Sequence, residues 1–429
     1  MGSPERMKGV AALVTRPGYE GNLVVLSAMS GTTNTLVEIC NYLRGGNFEA
    51  AGDVINRLQE KYEGHLEQLY DTEEAKSRTR TVFNSVFSSL RSFTKDVFTP
   101  RDEKIIVSQG EILSTNMMTN YLLERGVNVR LLDALSFMRI DQNGEPDAWY
   151  IKQRLQEILP AGAKADLYIT QGFICRDAMG DIDNLQRGGS DYTASLLGAA
   201  LGADEIQIWT DIDGMHNNDP RFVENTRSVP HLYFEEASEL AYFGAKILHP
   251  TCIQPAKFNN IPVRLLNTMD PDAPGTVIDN KEDRGTIKAV AAKDNITAIK
   301  IKSGRMLLAY GFLRKVFEIF ESHQTAIDMI CTSEVGVSMS IDNTTYLPQI
   351  EKDLRKYGTV TVDRDMCIIC VVGDMDWENK GFESRVLDAL KDVPVRMVCY
   401  GGSNYNISFL IRQADKEKAL RCLSKEIFN

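Results

Sequence analysis

The residues best suited to chemistry lie in one short run, Gln186-Arg187-Gly188-Gly189-Ser190-Asp191. Two adjacent glycines let the backbone turn tightly and approach a ligand, because no Cβ intervenes. Ser190 and Asp191 are good N-cap residues. The Ala- and Leu-rich run from Tyr192 to Leu201 favours a helix that Gly202 stops. The run therefore reads as a glycine turn feeding a helix N-terminus, where unpaired N–H groups and a partial positive charge favour an anion. Arg187 adds a fixed cation whose fork fits a carboxylate or phosphate. An ordinary capped loop fits the same residues, so the case depends on what else converges there.

The elements that must position this turn alternate between short apolar strands and helices. Glu5 to Thr15 reads as an amphipathic helix, and Leu23 to Ala28 as a buried strand. The polar loop Met29-Ser30-Gly31-Thr32-Thr33-Asn34 leads to a helix from about Thr35 to Leu43, and two charged helices fill residues 47 to 97. Ile105 to Ser108 is short and apolar, with Gln109-Gly110-Glu111 as a polar loop before a long helix to Glu124. Strands follow at Val129–Leu132, Ala165–Thr170 and Glu205–Trp209. Such alternation predicts an α/β sheet with helices on both faces, whose ligands sit at the carboxyl ends of the strands. Thr33-Asn34, Gln109-Gly110-Glu111, Gln171-Gly172, Arg187 to Asp191 and Thr210-Asp211 all fall at such ends and can converge on one rim.

Composition narrows the class. At about 150 residues per domain, a chain of 429 residues suggests two to four domains. A hydrophobic share of 43% and a charged share of 25% are ordinary for a water-soluble globular protein. The net charge of −11 argues against a nucleic-acid partner. No apolar run is long enough to span a bilayer and no signal peptide is visible, which points to a cytoplasmic protein. The eight cysteines are scattered, several in apolar runs such as those of Cys40 and Cys331, and are expected to be buried reduced thiols. Cys367 and Cys370 lie in a strand-like run, on opposite faces and without a second pair, so neither a zinc nor a redox role is expected; the five histidines form no ligand cluster.

The composition shifts at Pro271 to Gly275, and Asn280 to Gly285 is a charged connector. Beyond it Gly311-Phe312-Leu313-Arg314-Lys315-Val316-Phe317 recurs, 70 residues on, as Gly381-Phe382-Glu383-Ser384-Arg385-Val386-Leu387. Each copy is followed by two strand-like runs, Ala326–Cys331 and Val335–Ile341, then Val395–Tyr400 and Asn406–Ile411. The last third is thus two copies of a small α+β module.

Together these motifs closely resemble the aspartate kinases. The resemblance covers nearly the whole chain and rests on Ser27 to Asn34, Gln109-Gly110-Glu111, Arg187 to Asp191, Thr210-Asp211-Ile212-Asp213-Gly214 with Asp219-Pro220-Arg221, and Phe243 to Pro250. It implies an amino-acid-kinase-fold catalytic domain over 1–280 and two ferredoxin-like ACT domains over 286–362 and 363–429. The implied reaction moves the γ-phosphoryl group of ATP, as its magnesium complex, to the side-chain carboxylate of L-aspartate, the first step toward lysine, methionine and threonine. Such a transfer needs positioning and charge neutralisation more than covalent help.

By resemblance, Glu111 would pair with the substrate ammonium and Arg187 with its α-carboxylate. Thr33 would hydrogen-bond the substrate, and Gly188, Gly189 and Ser190 would offer N–H groups to the reacting centre. Asp191 would orient a lysine, Thr210, Asp211, His216, Asp219, Arg221 and Ile247 would line the nucleotide pocket, and Lys246 would offset phosphate charge. Read without the resemblance, Lys246 fits a solvated loop, Glu111 a first-turn helix acid, Asp219-Pro220 a plain turn, and Met117 and Met118 core packing. The first module resembles that of the lysine-inhibited branch, which implies an L-lysine effector held by Asp328 and Glu334 with Met306, Ile327, Ser333 and Val335 around it, and pairing of ACT domains in a homodimer or tetramer. Ala309 departs from the serine of that pattern. The family pattern also places a strand and a Lys-Phe-Gly-Gly-Thr-Ser-Val loop before Gly-Ser-Pro-Glu-Arg, whereas here Met1 precedes Gly2-Ser3-Pro4-Glu5-Arg6. This leaves two expectations, a kinase whose sequence was begun from a downstream start or a disabled amino-acid sensor.

Overall fold

The computed structural model describes residues 1–95, 97–159, 165–185, 188–244, 248–304 and 310–428. In chain order the first half runs α1 (Pro4–Val14), β1 (Asn22–Leu26), α2 (Thr32–Arg44), α3 (Phe48–Leu69), α4 (Glu73–Ser92), α5 (Pro100–Glu124), β2 (Val129–Leu132), α6 (Ala148–Ile158), β3 (Leu167–Gln171), β4 (Ile174–Arg176), β5 (Ile182–Asn184), α7 (Gly189–Leu201) and β6 (Ile206–Thr210). There follow β7 (His231–Tyr233), α8 (Phe234–Tyr242), α9 (Pro250–Phe258), β8 (Val263–Asn267), β9 (Thr276–Asp279), β10 (Ile287–Lys302), α10 (Phe312–Ser322), β11 (Met329–Ser333), β12 (Gly336–Ile341), α11 (Leu347–Leu354), β13 (Thr359–Gly373), α12 (Phe382–Ala389), β14 (Val395–Tyr400), β15 (Asn406–Arg412) and α13 (Lys416–Ile427). Two compact units result, one of Met1–Ile212 with Thr251–Ala273, the other of Asp213–Pro250 with Pro274–Asn429.

The first unit is built on a parallel sheet in the order β1-β3-β2, with Leu26 beside Gln171 and Leu132 beside Thr170. All five residues of β3 are buried, as expected of a parallel strand covered on both faces. Side chains alternate across it. Leu167 and Ile169 join the core under α2 to α5, and Tyr168 joins the one under α6 and α7. Phe83 stands edge-on to Tyr62 and Phe87 inside the helical layer, with ring centroids 5.5 and 6.3 Å apart. Such pairs add to the area they bury. The same unit carries the parallel pair β6 and β8. The mixed α/β architecture with helices on both sheet faces agrees with the sequence reading.

Local expectations are corrected at three places. Gln109-Gly110-Glu111 is not a loop at a strand end, and Ile105 to Ser108 is not a strand. All lie inside α5, which starts from Thr99 with Pro100 in its first turn and a reciprocal capping box to Asp102. That start signal outweighs the short apolar run. At α7, Gly188 is the N-cap, with φ of 75°, and no side chain caps the helix. Ser190 and Asp191 are therefore already in its first turn. Likewise Thr33 and Asn34 open α2, whose N-cap is Gly31.

In the second unit, β7 pairs with β9, and six antiparallel strands form one sheet in the order β11-β12-β10-β13-β15-β14. The repeat seen in the sequence is visible here. Gly311 and Gly381 are both left-handed N-caps, of α10 and α12, and each copy supplies two outer strands. Both copies share the long central strands. β12 pairs with residues 297–302 of β10, and β15 with 366–372 of β13. The ladder between β10 and β13 breaks register from Lys293 to Ala298, where Asn295 and Asp365 have φ of 60° and 54°. None of the eight cysteines, all among the described residues, is in a disulfide, and Cys367 and Cys370 are buried within β13. Cys331, expected to be buried, is only half-buried because β11 is an edge strand.

Candidate active site

The carboxyl end of β1 opens into Ser27 to Gly31. Gly110 lets α5 come against this loop, since a Cβ there would stand 2.8 Å from that of Ala28. Ser114 fixes the approach by donating to the Ser27 carbonyl at 2.8 Å. This places Glu111 under the loop, where the Ala28 N–H donates to its Oε1 at 3.1 Å. The residue is 4% exposed, and its Oε2 is buried with no hydrogen-bond partner among the described residues. Burial pushes the carboxyl up to about 7, against the pull of the backbone donors. A buried carboxylate with one oxygen held and the other open is a receptor for a cation. Glu111 is thus not a first-turn helix acid. Thr33 lies half-buried on the first turn of α2. Met117 and Met118 are fully buried core residues.

The second element of the site is the contact between the end of β3 and the start of α7. A Cβ on Gly172 would overlap Ser190, and one on Gly189 would overlap Phe173. Phe173 has φ of 67°, a left-handed conformation that a bulky residue adopts only under constraint. Its N–H donates to Thr193 Oγ1 at 3.1 Å, and that hydroxyl donates to the Gly189 carbonyl at 2.7 Å. The structure therefore holds the first N–H groups of α7 on a rigid support, although nothing in the local sequence marks Phe173 or Thr193. Burial pushes Asp191, in the first turn, up to about 6. Arg187 lies outside the described residues.

Of the nucleotide candidates, Thr210 ends β6, its Oγ1 accepting the Ile212 N–H at 3.0 Å, and Asp211 beside it is exposed. Those two belong to the first unit, and His216, Asp219 and Arg221 to the second. His216 has both ring nitrogens engaged, Nε2 with Asp213 at 2.7 Å and Nδ1 with Thr226 at 3.1 Å. Arg221 grips Asp219 with Nε and Nη2, at 3.0 and 2.7 Å. Burial would raise the Asp219 carboxyl, but these donors hold it below its usual value. Lys246 and Ile247 lie outside the described residues.

The effector candidates separate sharply. Asp328 precedes β11 and Glu334 follows it, so about 20 Å of strand lies between them, more than one amino acid can bridge. Ser333, Glu334 and Val335 are exposed, and Ile327 is half-buried. The Asp328 side chain is only 2% exposed. Its Oδ1 receives the Lys293 ammonium at 2.7 Å and the Tyr242 hydroxyl at 2.8 Å, while Oδ2 is buried with no partner among the described residues. Lys293 also reaches Asp342 at 3.0 Å and stands 4.4 Å from the centre of the Tyr242 ring. Nothing in the sequence marks Lys293 and Tyr242, because each is distant from Asp328 along the chain and neither stands in a recognisable motif. Met306 and Ala309 lie outside the described residues. Among those described, no group of His, Cys, Asp and Glu is arranged to hold a metal ion. No described helix is long and apolar enough to cross a membrane.

This geometry meets its counterparts in known proteins. Residues 1–267 match the model of the amino acid kinase family, and 369–427 match an ACT domain. The chain belongs to the amino acid kinase family, and within it to the aspartokinases. It is 34% identical to the lysine-sensitive aspartokinase 3 of Escherichia coli, over 95% of this chain and 92% of that one. Its structure is similar to that of E. coli aspartokinase III in complex with aspartate and ADP, with a TM-score of 0.85 at 32% identity over 100% and 97% of the two chains. The same enzyme in complex with lysine and aspartate gives 0.79 at 33% identity, over 99% and 96%. The protein is an aspartate kinase, a phosphotransferase with a carboxylate acceptor. The relatives support an active kinase rather than a disabled sensor.

Proposed function

We propose that the enzyme grips L-aspartate between the loop after β1 and the start of α7. Glu111 takes the substrate ammonium on its open Oε2, and Arg187 takes the α-carboxylate through its fork. Thr33 hydrogen-bonds the substrate, and the N–H groups of Gly188, Gly189 and Ser190 face the carboxylate that accepts the phosphoryl group. Asp191 orients a lysine, and Lys246 offsets charge on the transferring group. Thr210, Asp211, His216, Asp219, Arg221 and Ile247 serve the nucleotide, which arrives as magnesium ATP with the ion held mainly by the phosphates. The observation that carries this reading is the unpaired, buried Oε2 of Glu111 beside Ala28.

In the same reading L-lysine is the effector, recognised first by Asp328 with Met306 and Ile327 at its stem. Ser333, Glu334 and Val335, at the far end of β11, serve the effector only where a second copy of the chain supplies them. That favours a homodimer, or a tetramer, paired through the ACT domains of 286–362 and 363–429, with 1–280 as the catalytic domain. The enzyme works in the cytoplasm. An assay with ATP, magnesium and L-aspartate, followed by hydroxylamine trapping of the acyl phosphate, tests the reading. Turnover by the wild type that Glu111→Gln depresses through the KM for aspartate supports it, and equal KM in both proteins contradicts it.

A further inference from the structure

We propose that the Asp328 carboxylate is shared, with Oδ1 tied to the enzyme through Tyr242 and Lys293 and Oδ2 offered to an ammonium group of the effector, so that Tyr242 transmits effector binding to the turn before Lys246. This rests on the effector reading above. Its geometry is confined to the second unit.

Three observations carry it. First, Oδ2 is enclosed and unpaired among the described residues while Oδ1 has two donors. An enclosed acceptor without a donor is costly, so a cationic ligand at Oδ2 is favoured. Second, Lys293 has a second acid within reach, Asp342 at 3.0 Å. When a ligand cation draws on Asp328, Lys293 can move onto Asp342 without being left uncompensated. Third, Tyr242 is the last residue of α8, and Phe243-Gly244 follows at once. Gly244, with φ of 127°, lies so close to β10 that a Cβ would overlap the Ala292 carbonyl, next to Lys293. The turn that leads to Lys246 is thus seated on the strand that carries Lys293 and tied by one hydroxyl to Asp328. A ligand that weakens the bond from Tyr242 to Asp328 loosens that seat.

The test uses the full chain, with L-lysine as the probe, in the wild type, Tyr242→Phe and Lys293→Met. Calorimetry reads binding, and turnover of aspartate with and without saturating lysine reads coupling. Tyr242→Phe, which removes one hydroxyl, is expected to bind lysine within about threefold of the wild type while its inhibition by lysine weakens by about fivefold or more. Lys293→Met leaves the ligand as the only cation at Asp328 and is expected to bind lysine about tenfold tighter. Lysine that binds and inhibits Tyr242→Phe as it does the wild type overturns the inference while leaving the effector reading intact, and the Tyr242→Phe arm decides alone if Lys293→Met does not fold. A silent titration of the wild type removes the effector reading, and the inference with it.

Discussion

Two buried carboxylates, one in each unit, are arranged almost alike and differ in one respect. Glu111 has one oxygen held by the Ala28 N–H and the other unpaired, with no cation among the described residues bonded to it. Asp328 has one oxygen held and the other unpaired as well, but its held oxygen already faces the Lys293 ammonium. The first is a buried carboxylate without a cation among the described residues, which in the proposed reading the substrate ammonium supplies. The second begins compensated and has a reserve acid, Asp342, to which its cation can pass. A catalytic pocket that binds and releases substrate at every turnover benefits from an unmet charge. A sensor benefits from an internal contact that the ligand can disturb. Burial raises both carboxyls, Glu111 to about 7 and Asp328 in the same direction, and only Asp328 has a lysine opposing that rise.

Glu111 is where this contrast breaks most readily. Glu111→Gln keeps the shape and removes the charge, and should lower kcat/KM for aspartate by about 3 kcal/mol, roughly 100-fold. The fold should respond in the opposite sense. A carboxyl whose folded pKa is raised stabilises the protein least when ionised, so the wild type loses stability as pH rises from its ordinary value through about 7. Above that pH the Gln variant should melt at a higher temperature than the wild type, which a glutamate whose charge is paired within the fold would not produce. Asp328→Asn comes next, and should weaken lysine binding by about tenfold or more in calorimetry, because a neutral amide cannot balance an ammonium. Gly110→Ala sets a methyl group against Ala28 and should raise the aspartate KM, at a cost of about 1–3 kcal/mol shared between site and fold. The smallest effect is expected at Glu334→Gln. Exposed and about 20 Å along the strand from Asp328, it should change lysine affinity by no more than about fivefold.

Much of the fold is legible in the order of residues alone. The alternating strands and helices, the turn at Gly188-Gly189, the helix that Gly202 ends and the repeat from Gly311 to Gly381 each follow from residue type and period, which are local properties. Glu111 stands out in the sequence as a candidate for the substrate ammonium, but not as a helical residue. The apolar run from Ile105 to Val107 resembles a strand, and only the capping box at Thr99 and Asp102 shows that the helix has already begun. The support of the α7 N-terminus by Phe173 and Thr193 is hidden, since it depends on a positive φ and on two backbones meeting. The partners of Asp328 are hidden for the same reason. Lys293 stands 35 residues before it and Tyr242 stands 86 before, and only tertiary folding joins them.

The most direct test of an uncompensated Glu111 is the pH dependence of kcat/KM for aspartate at saturating magnesium ATP, in the wild type and in Glu111→Gln. In the proposed reading the ionised carboxylate binds the substrate ammonium, so its raised pKa should make wild-type kcat/KM fall about tenfold per pH unit below about 7. Glu111→Gln should lack that limb and keep only the lower one expected from Asp191, near 6. A wild-type profile that stays flat between pH 8 and pH 6, or a limb near 7 that survives the substitution, would contradict the account.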